Sequence, residues 1–132
     1  ICMSDKTSSS KNAVLIVEDD EFAIKIYDSK LKKIGASVKV ATNGQQALDF
    51  LKDAPPKVVL LDLMLPKVNG FEVLKAIRKN AKWKDVPVMI LSNLGQPQDI
   101  DHGKELGATE YFVKPHTKIR DIVDKLVHYI EK

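Results

Sequence analysis

The sequence predicts an α/β fold: an open sheet of parallel strands with helices wound on both faces. Three observations predict it. From Asn12 onward, five short apolar runs alternate with segments of helical period. Three of those runs are apolar at successive positions, the mark of strands covered on both faces and so of a parallel sheet. The length, 132 residues, suits one domain with one real core.

Ala13-Val14-Leu15-Ile16-Val17 reads as the first buried strand. In the helix that follows, Ile24, Tyr27, Leu31 and Ile34 share one face, and Gly35 is the stop signal. Val38-Lys39-Val40-Ala41 is a half-buried second strand. Asn43-Gly44 opens a second helix carrying Ala47, Leu48 and Leu51, closed by Pro55-Pro56. Val58-Val59-Leu60-Leu61 is the third strand, and a helix from about Gly70 turns Val73, Leu74 and Ile77 inward. Val88-Met89-Ile90-Leu91 is the fourth strand. The helix expected at 98–106 is the weakest, since Ile100 and Leu106 are its only large apolar residues and Gly103 interrupts it. Tyr111-Phe112-Val113 is the fifth strand. In the last helix Ile119, Ile122, Val123, Leu126, Val127 and Ile130 recur at three- and four-residue steps. Crossovers are expected to be right-handed.

The composition, 44% hydrophobic and 30% charged, excludes a wholly disordered chain, a collagen-like repeat and a long coiled coil. The net charge of +3 comes from 21 basic and 18 acidic residues of mixed order, without a basic run, so direct nucleic-acid binding is not expected. A single cysteine, Cys2, allows no intrachain disulfide and no cysteine metal site. It fits a reducing, cytoplasmic compartment. The longest apolar stretch, 58–66, is broken by Asp62 and is too short to span a membrane. Residues 1–11 read as a Ser-rich disordered tail or cloning remnant ahead of a domain at 12–132. That start favours an engineered or excised piece, with Met3 as an alternative native start. His102, His116 and His128 lack ligand spacing and read as surface residues. Trp83 reads as a loop residue covering the sheet edge.

Ligands of open α/β sheets bind outside the carboxyl ends of the strands. Glu18-Asp19-Asp20-Glu21 follows the first strand, Asp62 the third, Ser92 the fourth and Lys114-Pro115 the fifth. Carboxylates converging from two strands repel unless a cation sits between them. Oxygen ligands of this kind suit Mg²⁺, and a neighbouring lysine suits a phosphoryl oxygen. Asp62 then has two chemistries open to it. It can ligate the metal only, or it can attack phosphorus to give an aspartyl phosphate. Each feature also has a plainer reading. A run of acids caps a helix start, as Asp20 is expected to do here in any case. Ser92 alone is a strand-end hydroxyl, Lys114-Pro115 an ordinary turn, and Tyr111 a core aromatic. Asp62 is harder to dismiss, because an acid after a buried apolar run needs a partner or a function.

In this order and at these strand ends, the residues resemble the receiver domains of two-component response regulators. The resemblance runs over residues 12–132 and rests on several stretches. They are Val14-Leu15-Ile16-Val17-Glu18-Asp19-Asp20, Val58-Val59-Leu60-Leu61-Asp62-Leu63-Met64-Leu65-Pro66, Asn69-Gly70, Pro87-Val88-Met89-Ile90-Leu91-Ser92 and Gly107-Ala108-Thr109-Glu110-Tyr111-Phe112-Val113-Lys114-Pro115. It implies a flavodoxin-like strand order, 2-1-3-4-5. It implies Asp62 as phosphoacceptor, and Mg²⁺ or Mn²⁺ held by Glu18 through water, Asp19, Asp62 and the backbone carbonyl of Met64. Lys114 would contact a phosphoryl oxygen and carry a cis bond to Pro115. Ser92 and Tyr111 would be the switch residues. The phosphoryl donor would be a histidine kinase or histidine phosphotransfer protein. The output would pass through the surface of helix four, strand five and helix five, to a partner, an output domain or a second copy. Such a domain is no enzyme in the turnover sense, although it catalyses its own phosphorylation and slow dephosphorylation.

There are departures from the family pattern. Glu18 stands where Asp is frequent, and Asn93 where a small residue is usual. Met64 and Leu94, each two residues beyond a site residue, are apolar where a polar side chain would orient an attacking water, so slow self-hydrolysis is expected. Three other functions fit less well. A nucleotide-binding flavodoxin-like domain would want Ser, Thr and Gly after the first strand, where this chain has four acids. An inactive receiver would have lost Asp62, Asp19 or Lys114, and all are present. A haloacid-dehalogenase-type phosphatase would want a second acid in Asp62-Leu63-Met64 and room for a cap.

Overall fold

The computed structural model describes residues 12–131, so the tail expected at 1–11 lies outside the described residues. The strands are β1 (Ala13–Val17), β2 (Ser37–Ala41), β3 (Val58–Leu61), β4 (Val88–Ser92) and β5 (Glu110–Val113). The helices are α1 (Glu21–Lys33), α2 (Gly44–Phe50), α3 (Gly70–Lys79), α4 (Pro97–Glu105) and α5 (Ile119–Glu131), with a 3₁₀ turn at Lys114–His116. The strands form one parallel sheet in the order β2-β1-β3-β4-β5. This is the doubly wound, flavodoxin-like arrangement that the sequence predicts.

Side chains alternate across the sheet, so each strand feeds two cores. Leu15, Val17, Val59, Leu61 and Ile90 pack against Ala47, Val73, Leu74 and Ile77 of α2 and α3. Val14, Ile16, Val58, Leu60, Met89 and Leu91 pack against Tyr27, Leu31, Ile122, Leu126 and Ile130 of α1 and α5. That double coverage is why β1, β3 and β4 read as unbroken apolar runs.

The helix boundaries follow local chemistry. Asp20, Asn43 and Asn69 cap α1, α2 and α3, each accepting from a first-turn amide. Gly35, at φ +85°, ends the turn after α1. Ile34 at the end of α1 is 48% exposed and so does not share the buried face of Tyr27 and Leu31. α2 stops at Phe50 in a series of tight turns, before the prolines expected to close it. α4 does form, although its cap makes no side-chain hydrogen bond. Gly103 lets this helix pack closely: a Cβ there would lie 3.1 Å from both Ile90 and the Tyr111 ring, and those side chains would have to give by a few tenths of an ångström. Trp83 lies in a turn, but in the core, and its indole N–H donates to the Asp53 carbonyl at 3.0 Å. Its coverage of the sheet edge is burial rather than a surface lid.

Candidate functional site

The strand register brings four side chains to one edge of the sheet. Val17 pairs with Leu61, Leu61 with Ile90, and Ser92 with Val113. The residues at or just past those strand ends are Glu18, Asp62, Ser92 and Lys114. The Glu18 amide still donates to the Ala41 carbonyl, and the Asp62 amide to the Val17 carbonyl, each at 3.0 Å. Both acids are therefore fixed as extensions of the sheet ladder.

Lys114 joins them. Its Nζ lies 2.9 Å from Asp62 Oδ2 and 3.1 Å from Glu18 Oε1. Glu18 Oε2 accepts from the amides of Asp19 at 3.1 Å and Asp20 at 3.2 Å. Asp62 Oδ1 accepts from the Met64 amide at 3.0 Å. The side chains of Glu18 and Asp62 are only 4% and 6% exposed, and Asp19 stands open to solvent. Burial, then the charge of Asp62, pushes the Glu18 carboxyl up, against the pull of Lys114. Burial pulls Lys114 down, but the hydrogen bond and charge of Asp62, then those of Glu18, outweigh it, so its net direction is upward.

Carboxylate oxygens of Glu18, Asp19 and Asp62 lie within 4.8 Å of one another. Three acids against one lysine leave an excess of two negative charges when all are ionised. The ligand atoms are all hard oxygens. A divalent cation of the Mg²⁺ or Mn²⁺ kind matches both the charge and the donors. Met64 is held beside this cluster by its amide, while its side chain is 55% exposed.

Ser92 and Tyr111 meet at Leu94. Ser92 is fully buried, and its Oγ accepts from the Leu94 amide at 3.3 Å. The half-buried Tyr111 donates its hydroxyl to the Leu94 carbonyl. Burial first, then Asp99 and Asp62, pushes that phenol up to about 12. Sequence reasoning placed both residues without finding this shared clasp, because it runs through the backbone. The Lys114–Pro115 bond corrects an expectation: there is no cis peptide among the described residues. Pro115 sits inside the 3₁₀ turn that opens at Lys114, where a proline ring fits without a donor, and the trans form is the lower in energy.

Two glycines also shape the site. A Cβ on Gly70 would lie 2.5 Å from the Asp62 carbonyl oxygen, and one on Gly44 would collide with the Val68 carbonyl. The Gly70 amide donates to Leu63 and the Gly44 amide to Pro66, so two helix starts brace the loop after Asp62. The repeated Asn-Gly pair was the available signal, but it read only as a helix start.

The fold and this edge define a signalling receiver. Residues 14–127 match the family model described as "Response regulator receiver domain". The chain belongs to that family. A "Probable transcriptional regulator ycf27" of Guillardia theta is 42% identical over 106 residues, covering 80% of this chain and 41% of the relative. The chain thus spans about two-fifths of the curated relatives it matches. The chemotaxis protein CheY4 of Vibrio cholerae superposes with a TM-score of 0.79 at 29% identity, covering 89% of this chain and 97% of that one. The Mn²⁺-bound form of response regulator Rcp1 superposes at 0.76 with 27% identity, covering 87% and 88%. Receiver domains are phosphoacceptors of two-component signalling, work with histidine kinases and bind Mg²⁺ or Mn²⁺ at an acidic pocket. No helix among the described residues is long and apolar enough to cross a membrane.

Proposed function

We propose that Asp62 accepts a phosphoryl group from a histidine kinase or histidine phosphotransfer protein. The observation that carries this reading is Lys114, whose ammonium joins buried Asp62 to buried Glu18 across three strand ends. Asp62 Oδ2 attacks phosphorus, the bond from phosphorus to the donor breaks, and the donor leaves with its electron pair. Lys114 stabilises charge on a phosphoryl oxygen. Glu18, Asp19, Asp62 and the Met64 carbonyl would hold Mg²⁺ or Mn²⁺, which when bound neutralises phosphoryl charge. Ser92 then turns its hydroxyl toward the phosphoryl group and Tyr111 leaves Leu94 to pack inward, altering the surface of α4, β5 and α5 for a partner, an output domain or a second copy.

The domain is a phosphoacceptor rather than a turnover enzyme. Met64 and Leu94 offer no polar side chain to orient a hydrolytic water, so the phosphoryl group is long-lived. In this reading the receiver itself contacts no nucleic acid and works in the cytoplasm. Regulation of transcription, as in the ycf27 relative, would fall to a separate output domain. Incubation with Mg²⁺ and a small phosphodonor is expected to add one phosphoryl mass, and Asp62→Asn to prevent it. An equal mass shift in Asp62→Asn overturns the assignment. A phosphoryl lifetime of seconds in the purified protein overturns the slow-hydrolysis part.

A further inference from the structure

Beside the acid cluster, a cavity of about 310 Å³ opens between the starts of α1 and α5. Ala23, Leu91, Ile119 and Ile122 make it largely apolar, and Phe22, 72% exposed, stands on its rim. Tyr27 lines it although only 2% of that residue is exposed. The polar groups around it are otherwise committed. Thr117 donates to the Val113 carbonyl at 2.9 Å, Asp20 accepts from the Phe22 amide, and Lys114 is shared by Asp62 and Glu18. The Tyr27 hydroxyl makes no hydrogen bond to another described residue. No fully buried side-chain oxygen among the described residues lacks a partner, so this hydroxyl opens onto the cavity.

We propose that this cavity binds a small neutral aromatic molecule carrying one hydrogen-bonding group, which pairs with the Tyr27 hydroxyl. Each part of that description has a source. The volume is near the lower end of ligand pockets, roughly 300 Å³, and so takes one or two rings. The apolar walls and the Phe22 and Tyr27 rings favour an aromatic body. Glu18 and Asp20 outnumber Lys114 on the lining, which disfavours an anion. Glu18 is already paired with Lys114, and Asp20 is turned to the Phe22 amide at its own helix start. One hydroxyl open to the cavity suits one polar atom on the ligand. A bound molecule would also press on the Lys114 stem and slow phosphorylation, and that second part rests on the role given to Asp62 above.

Phenol and indole, titrated separately into the Mg²⁺-loaded protein, test the binding by amide chemical shifts. Saturable shifts centred on Ala23, Tyr27, Thr117 and Ile119 are expected. Tyr27→Phe should weaken phenol about fivefold, the loss of one net hydrogen bond. Ala23→Leu should fill the cavity and abolish saturation by both probes, with the dispersed spectrum showing that the variant folds. Absence of saturable shifts in the natural chain, or equal affinity in folded Ala23→Leu, overturns the site. Saturating phenol should then slow phosphorylation severalfold. Binding with an unchanged rate overturns the regulatory half. Failure of phosphorylation without any ligand strikes the Asp62 reading instead and leaves the binding result standing.

Discussion

Lys114 and Arg78 are part-buried cations at opposite edges of one sheet, and their partners differ in kind. Lys114, at the carboxyl edge, answers to two carboxylates. Arg78, at the amino edge, answers to dipoles. Its Nε donates to the Gly107 carbonyl at 2.9 Å, and one terminal nitrogen donates to Lys84 at 2.9 Å and Val86 at 2.7 Å. The net direction is upward for Lys114, and burial first pushes Arg78 down, against the attraction of Asp85. Charge matched by charge can be redistributed when a metal or phosphoryl group arrives. Charge matched by carbonyls has nothing to exchange and acts as a fixed staple.

The sharpest way to break this contrast is kinetic. Lys114→Met should slow phosphorylation by about a hundredfold or more, the usual loss when one donor to developing negative charge is removed. Arg78→Met should still reach full phosphoryl incorporation. A mass-spectrometric time course reads both, and similar rates for the natural chain and Lys114→Met end the comparison. Next in size is a stability effect. Arg78→Lys keeps the charge but loses the fork that spans three carbonyls, at a cost of about 1–3 kcal/mol in urea unfolding. No loss would show that the fork is dispensable.

The smallest effect lies at alkaline pH. Because Lys114 is raised above 10.5, its contribution to stability is complete below 10.5 and is lost as pH climbs through its higher folded value. Tyr27, Tyr111 and Tyr129, each raised to about 12, lose theirs as pH rises from 10 to 12. The informative quantity is therefore the difference between the natural chain and Lys114→Met. The natural chain should lose more stability above pH 10.5. Parallel unfolding curves would refute the lysine's hold on its carboxylates.

The carboxyl edge was more legible in the sequence than the amino edge, and the reason is physical. Glu18, Asp62, Ser92 and Lys114 each interrupt or end an apolar strand, so they stand out against the pattern around them. Arg78 sits where an exposed helix residue is ordinary, and its partners are main-chain carbonyls contributed by 84, 86 and 107, which no side-chain pattern displays. Trp83 was hidden in the same way, since Lys82, Lys84 and Asp85 make its surroundings look solvated while its ring turns inward. The helix at 97–105 was underrated because Gly103 counts against a helix by propensity and in favour of it by packing. The peptide bond before Pro115 was inferred from resemblance, and the local turn decides it otherwise.

The bare helix starts at Gly44 and Gly70 bear on whether this chemistry could be moved to another protein. Copying the acids, the hydroxyl and the lysine onto a foreign parallel sheet would not suffice. The loop beyond the acceptor is wedged between two helices that approach it without a Cβ in the way. A graft with alanine at either position would keep every reactive group and still misplace the backbone that carries Asp62.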